Sequence, residues 1–520
     1  MKWSFSCQAS PTKSPYTFSL LAGLLAGLAF PPISQPWLLW MAFPLWWKVA
    51  QTRALYAGLF VWNFIGCYWL MLTALSAPDL QEAILSLGAG ATAILVNPLL
   101  MLIPFFLWRV LHRGLGLPLS PWSFIPFWGT FEYLHFQWEL SWDWLALGLA
   151  WSEWSPLRTV AAWVGPLGVS LWTLIGAAWI AEYHWGKALI WIIGVPFLTS
   201  IIPQSSSTKP PRSVWIIQPN IDPYVKFSDF PPDSQLKYLL SFLPAAPAKG
   251  SLIIFPETAI PVGVSIDYWR EDPFLQPFFA YAQQHQVNIL LGIVGYKYLE
   301  RDKKPPVSAN PLPDGRYYES YNAALLLRPD TAFLHIKDRL VPFVERTPYL
   351  ETLPFLKEWM IELGGGFGQF GKPERQTTLP LYPDETPMAV AVCYESIFVH
   401  DVRKRLLPAP TFLAVITNDG WWKKSSGYYQ HLSYGRMTAA TLGVPVLRAA
   451  NTGVSAFLSA SGEIASSLEY AQAGTLYQKV APQTPTTGYV RWGEWGWGGL
   501  VIFASIVWII RLWLFRRSSA

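Results

Sequence analysis

A chain of 520 residues with 52% hydrophobic composition, only 14% charged residues and 30 tryptophans departs from an ordinary soluble protein toward a bilayer protein, and is long enough to carry a full extramembrane domain as well. The formal charge of +5 is modest and the basic residues form no extended run, which argues against nucleic acid as a partner. Cys7, Cys67 and Cys393 are too widely spaced for a disulfide framework or a CxxC redox pair.

From the N-terminus, apolar stretches at about 17–31, 35–50, 54–75, 84–108, 118–136, 160–180 and 187–203 fit seven membrane crossings. Some fall short of the roughly 20 residues of a full span, and Gly and Pro interrupt others. The repeated later stretches argue against a cleaved signal peptide at 17–31. Lys2 and Lys13, Lys48 and Arg53, Arg109 and Arg113, and Lys187 mark cytoplasmic flanks, with Arg158 on the outer side against the trend. The indole-rich 128–144 predicts anchors at the water boundary that keep Glu132, Glu139 and Asp143 near water. Another Trp-rich apolar stretch at 496–515 ends in Arg516 and Arg517, with Arg511 snorkelling toward the headgroups. The expected organisation is a seven-span bundle over 1–204, an extracytoplasmic domain over 205–495, and a C-terminal span with a short cytoplasmic tail over 496–520.

Between these greasy ends the pattern changes. Short β-prone runs bounded by turn residues recur at 214–219, 251–257, 287–296, 321–329, 388–395 and 412–419, with helix-compatible stretches at 269–286 and 397–407. The fold class expected is therefore a membrane α-helical bundle plus an α/β domain.

Three residues stand at the ends of predicted strands. Cys393, in AVAVCYE, is the candidate nucleophile, because a thiolate attacks an ester carbonyl far better than a hydroxyl and its thioester still passes an acyl group to an amine. Glu257, in FPETAIP, is the candidate general base, and Lys337, in HIKDRLVPFVE, the candidate cation for a tetrahedral oxyanion. Taken singly, each has a bland alternative in a packed cysteine, a solvated carboxylate or a surface lysine. Glu345 either holds Lys337 or assists proton handling, with an ordinary surface salt bridge as the alternative; Tyr394 and Glu395 either shape an acyl cavity or brace the turn. Trp421, Trp422, Lys423 and Lys424, in NDGWW and the KKSSGYYQHL that follows, suggest a mobile cover or lipid-contacting loop, with a plain exposed loop as the alternative. His335 is too weakly placed to replace Glu257, Asn451 and Gly453 suggest a loop wall, and no spacing makes a metal site.

Together FPETAIP, KDRLVPFVE, AVCYES, NDGWW, QHL and RAANTG resemble the bacterial apolipoprotein N-acyltransferase family, whose catalytic domain is similar to nitrilases of the carbon-nitrogen hydrolase superfamily. The resemblance implies a nitrilase-like α-β-β-α sandwich, with Glu257 as base, Lys337 as oxyanion support, Cys393 as acyl-carrying nucleophile, and Glu345, Tyr394 and Glu395 in support. It implies transfer of an acyl chain from a phospholipid, commonly phosphatidylethanolamine, to the α-amine of a diacylglyceryl-modified N-terminal cysteine of an apolipoprotein. It further implies a bacterial inner membrane location and no diffusible cofactor or metal; a monomer is expected. Val344 stands where the family often has Gly, NDGWW replaces NDAWF, and Thr438 and Thr441 replace expected charged residues. The alternatives are a membrane-bound nitrilase-like amidase or hydrolase that releases the same thioester to water, and an inactive lipid-binding scaffold.

Overall fold

The computed structural model describes residues 14–77, 79–114, 116, 119–200, 209–227, 229–300, 305–355, 369–373, 378–494, 498–499, 501–502, 504–506 and 509–510. Lys2, Cys7, Lys13, Arg511, Arg516 and Arg517 lie outside the described residues, as do parts of the expected 187–203 and 496–515 spans. By contacts the chain divides into two units: Met1–Leu70 with Gly90–Pro203 and Gly488–Ala520, and Met71–Ala89 with Gln204–Thr487.

The first unit is helical. Its helices α1 (Pro15–Ala29), α2 (Leu39–Val49), α3 (Leu55–Cys67), α4 (Leu80–Gly114, whose start groups with the second unit), α5 (Pro121–His135), α6 (Ser155–Ala181) and α7 (Trp185–Ser200) coincide with the seven predicted apolar stretches. Leu55–Leu75, Leu80–Gly114 and Ser155–Ala181 are long and apolar enough to cross a membrane. Small residues let α1 and α3 meet backbone to backbone, since a side chain at Gly23 would sit 2.1 Å from the Gly58 carbonyl oxygen.

The indoles of 128–144 divide, with Trp138 and Trp142 half-buried beside a half-buried Glu139. Trp128 and Trp144 are fully buried, and Glu132 and Asp143 are buried with them. Glu132 tolerates this because the Trp128 indole and the Leu147 backbone N–H both donate to its Oε1 at 2.9 Å.

In the second unit the strands are β1 (Arg212–Gln218), β2 (Leu252–Ile254), β3 (Gly263–Ser265), β4 (Asn288–Tyr298), β5 (Asn310–Pro311), β6 (Tyr317–Leu327), β7 (Ala332–Ile336), β8 (Leu379–Leu381), β9 (Thr386–Val392), β10 (Phe412–Thr417), β11 (Val446–Ala450), β12 (Ser455–Leu458), β13 (Ile464–Leu468) and β14 (Gly474–Val480). The helices there are α8 (Pro232–Leu240), α9 (Gln276–His285), α10 (Val399–Arg405) and α11 (Ser426–Leu442); α12 (Gly488–Trp492) returns to the first unit. One sheet has the order β14-β1-β2-β4-β6-β5, with β3 on β4 and β7 on β6; the other has the order β13-β12-β11-β10-β9-β8.

Strand alternation builds the layers. Ile216, Leu252, Ile254 and Leu290 face inward against Met388, Val390, Ile416 and Leu447 of the second sheet. Their neighbours Ile217, Ile253, Ile289 and Leu291 face outward, where Leu239 of α8 and Phe278 and Ala282 of α9 cover them. Helices α10 and α11 pack on the second sheet. The result is an α-β-β-α sandwich. Within it β1, β2 and β4 run parallel, as do β9, β10 and β11, so the C-terminal ends in each set open on one edge.

Candidate active site

The C-terminal strand ends carry the chemistry. Glu257 lies three residues beyond β2, Lys337 directly follows β7, and Cys393 directly follows β9. The Lys337 ammonium lies between two carboxylates, donating to Glu257 Oε1 at 3.3 Å and Glu345 Oε1 at 2.8 Å. Asn322, on β6, repeats that bridge: its Nδ2 donates to Glu257 Oε1 at 2.8 Å and to Glu345 Oε1 at 2.7 Å. The second oxygen of each carboxylate is also held, Glu257 Oε2 by the Asn418 backbone N–H at 3.1 Å and Glu345 Oε2 by that of Val341 at 2.7 Å. All four side chains are buried. Such a lattice leaves each acid few rotamers and aims both at one cation.

Cys393 is buried and takes φ +51°, a left-handed conformation that costs a non-glycine residue about 1 kcal/mol or more. The surroundings over-determine it. The Cys393 carbonyl accepts from Ser396 Oγ at 2.7 Å and lies 3.3 Å from His431 Nε2. Behind it, His431 Nδ1 is 2.9 Å from Asp419 Oδ1, and Arg448 Nη2 donates to Asp419 Oδ2 at 2.6 Å.

Glu395 braces the turn rather than lining a cavity. It accepts from the backbone N–H of Val392 at 2.9 Å and of Asp338 at 3.4 Å, so one carboxylate ties the residue before Cys393 to the residue after Lys337. Arg405 at 2.6 Å and His335 at 3.0 Å complete its shell. Tyr394 is buried with its ring 4.9 Å from that of Phe398.

Electrostatics follow from this burial. Desolvation pushes the Cys393 thiol up, the Glu257 carboxylate adds to the rise, and Lys337 opposes it. Burial alone would lower Lys337, but Glu257 and Glu345 hold its ammonium above the ordinary range. Glu395 stays ionised despite burial because Arg405 and His335 face it.

The NDGWW region is a short turn that leads into a helix. Asp419–Trp422 forms a short 3-10 turn, and α11 begins at Ser426 with Ser426, Gly427, Gln430 and His431 buried, because this stretch packs behind the Cys393 turn. Trp421 meets the Tyr224 ring edge-on at 5.0 Å, Trp422 lies 6.1 Å from the His431 ring, and Lys423 lies 3.7 Å from Asp222. Lys424 is exposed. Asn451 ties two segments together: its Nδ2 donates to the Ile221 carbonyl at 2.6 Å and to Asn418 Oδ1 at 3.2 Å. Sequence reasoning missed Asn322, Asp419, Arg448 and the roles of His335 and His431; a polar residue inside an otherwise apolar strand, as Asn322 is in YNAALLL, was the available signal. Among the described residues Cys67 and Cys393 are free, and no group of His, Cys, Asp or Glu is placed to hold a metal.

Residues 207–487 match the carbon-nitrogen hydrolase family, and residues 22–179 match the apolipoprotein N-acyltransferase N-terminal domain. The chain is 26% identical to an apolipoprotein N-acyltransferase of Chlorobaculum tepidum, over 91% of this chain and 92% of the relative. It is 25% identical to that of Haemophilus ducreyi over 96% of both chains, and 29% identical to that of Rhodopseudomonas palustris over 95% of this chain and 94% of the relative.

Proposed function

The chain belongs to the carbon-nitrogen hydrolase family, and from that premise we propose that it is a membrane-bound acyltransferase working through a Cys393 thioester in a ping-pong cycle. The donor is a phospholipid, phosphatidylethanolamine in the simplest case. The acceptor is the α-amine of a diacylglyceryl-modified N-terminal cysteine of an apolipoprotein. Full-length likeness to proteins named for N-acyl transfer supports the reaction class. The observation that carries the mechanism is the buried Glu257–Lys337–Glu345 lattice bridged by Asn322 at the strand edge that also presents Cys393.

In the first half-reaction Glu257 takes the thiol proton as Cys393 Sγ attacks the ester carbonyl carbon, and Lys337 stabilises the oxyanion. The carbon–oxygen bond then breaks, the proton passes from Glu257 to the departing alkoxide, and a lysophospholipid leaves the thioester behind. In the second half-reaction the neutral α-amine attacks that thioester. The carbon–sulfur bond breaks, Glu257 receives the amine proton and returns it to the sulfur. Both substrates are bilayer-bound, so anchored helices spare their chains extraction into water. The basic flanks of the apolar stretches favour an inner-membrane enzyme with its catalytic domain on the outer side.

The test is intact-protein mass spectrometry in phospholipid micelles, followed by a chase with a diacylated N-terminal-cysteine peptide. An acyl adduct that needs Cys393, survives C67A and moves to the peptide is expected. An adduct in folded C393A refutes the nucleophile. Label released only as free fatty acid means hydrolysis and refutes transfer.

A further inference from the structure

Lys226 lies in the loop between β1 and α8, buried to 2% exposure, in a position that the proposed cycle does not use. Its ammonium donates to the Thr258 carbonyl and, at 3.1 Å, to Thr258 Oγ1. Thr258 directly follows Glu257 and takes φ +47°, a second left-handed non-glycine residue in the site. A long side chain delivering two hydrogen bonds to one strained residue is a specific arrangement, and the residue it fixes sets where the Glu257 backbone ends.

The loop is itself built to hold the lysine. The Lys226 carbonyl accepts from Gln235 Nε2 of α8 at 2.6 Å, and its N–H donates to the Asp222 carbonyl at 3.0 Å. Around the ammonium, Glu257 is the charged group that acts on it from the β2 end, with Lys337 and Glu345 beyond that carboxylate. Asp222, on the same loop, is turned to Lys423, Gln235 on α8 is neutral, and the Phe227 ring lies 5.4 Å from the ammonium. Burial draws Lys226 down to about 7, with Glu257 opposing the fall, so in acid Lys226 carries its full charge.

We infer that Lys226 is a positioning residue for the Glu257 base, holding the left-handed Thr258 turn and placing a second positive charge on the residue next to the carboxylate that must accept the thiol proton. This rests on the reading of Glu257 as the base. Loss of the charge makes Glu257 harder to ionise and moves the acid limb of Cys393 reactivity to higher pH.

Full-length protein in phospholipid micelles, as wild type, Lys226→Met, Lys226→Gln and Lys226→Arg, is followed for Cys393 acylation from about pH 4 to about pH 9. Alkylation of Cys393 by iodoacetamide is measured in parallel on a C7A/C67A background, since it needs no acyl donor. K226M and K226Q should move the acid limb up by about one pH unit, while K226R, which keeps the charge, should restore the wild-type limb. A limb unmoved in K226M and K226Q, or moved equally by K226R, overturns the assignment. Should K226M not fold, K226Q, which keeps donors for Thr258, decides with K226R. A wild type that forms no acyl-enzyme yet shows the shifted alkylation limb in K226Q sinks the acyl-transfer reading and leaves Lys226 in place.

Discussion

Gly292 lies in β4, where the strand runs against the backbone that carries Glu257. A Cβ there would stand 2.3 Å from the Pro256 carbonyl oxygen, 2.5 Å from the Thr258 nitrogen and 2.6 Å from the Glu257 Cα. The first of these is about 1 Å inside ordinary van der Waals contact, and every atom met is backbone with no rotamer to swing away. In G292A either β4 or the Glu257 turn must give way. Overpacking of this kind costs about 1–3 kcal/mol of stability, and displacement of a base by about 1 Å costs roughly 100-fold in rate. The expected outcome is a folded enzyme whose single-turnover acylation of Cys393 is about 100-fold slower, although no charged group has been touched. G295A in the same strand is the control. Its Cβ would meet the Ile266 side chain, Cγ1 at 2.9 Å and Cδ1 at 3.0 Å, and no backbone of the Glu257 turn, so acylation should stay within a few-fold of wild type. Rapid-quench mass spectrometry after matched thermal unfolding measures both. A G292A rate within about threefold of wild type would refute the claim that backbone proximity at β4 positions the base.

Three further outcomes follow from other parts of the molecule. Arg405→Met leaves the buried Glu395 carboxylate without its 2.6 Å partner and should destabilise the second unit by about 3–5 kcal/mol, read as a lowered unfolding temperature. Burial raises Asp419, but Arg448 and His431 more than reverse this and hold it at about 2; a depressed carboxyl stabilises above its unfolded value near 3.8, so about 2 kcal/mol is lost as pH falls from about 4 to about 2. Thermal unfolding across that window should show the slope in wild type and flatten in D419N; an equal slope in both would disprove it. The basic flanks predict that a membrane-impermeant thiol reagent reaches a cysteine placed at Ser206 but not one at Ser518, two positions outside the described residues, in cells with a permeable outer barrier. Labelling confined to position 518 reverses the orientation.

Local chemistry made much of this legible from sequence. Apolar stretches separated by basic flanks announce helices because bilayer length and backbone hydrogen bonding allow little else. Runs such as SLIIFPE and MAVAVCYE end in turn residues where β2 and β9 end, and Glu257 and Cys393 stand there because parallel strands finish on one edge. Glu345 beside Lys337 was open to a surface salt bridge, and the structure shows a buried contact at 2.8 Å instead. Other features depend on strand order. Asn322 is 65 residues from Glu257 and Asn418 is 161 residues away, yet both hydrogen-bond its carboxylate. No local pattern encodes such a pairing, because β6 reaches Glu257 across β4 of the same sheet and β10, in the other sheet, meets it only through the sandwich.

The same division explains the misreadings. Glu132 reads as a water-boundary carboxylate because a lone charge in an apolar run is costly; only tertiary packing supplies the Trp128 and Leu147 donors that make its burial tolerable. The stretch after NDGWW reads as a loop from its lysines and serines, whereas the surface it packs against turns it into the buried start of α11. Composition and spacing determined by themselves the apolar segments, the strand runs and the candidate reactive side chains. The left-handed turns at Cys393 and Thr258, the Asn322 bridge and the two-ended grip of Glu395 were decided by the tertiary structure. Strain at one residue persists only when bonds from distant segments outweigh it, and those segments meet only once the sheets have stacked.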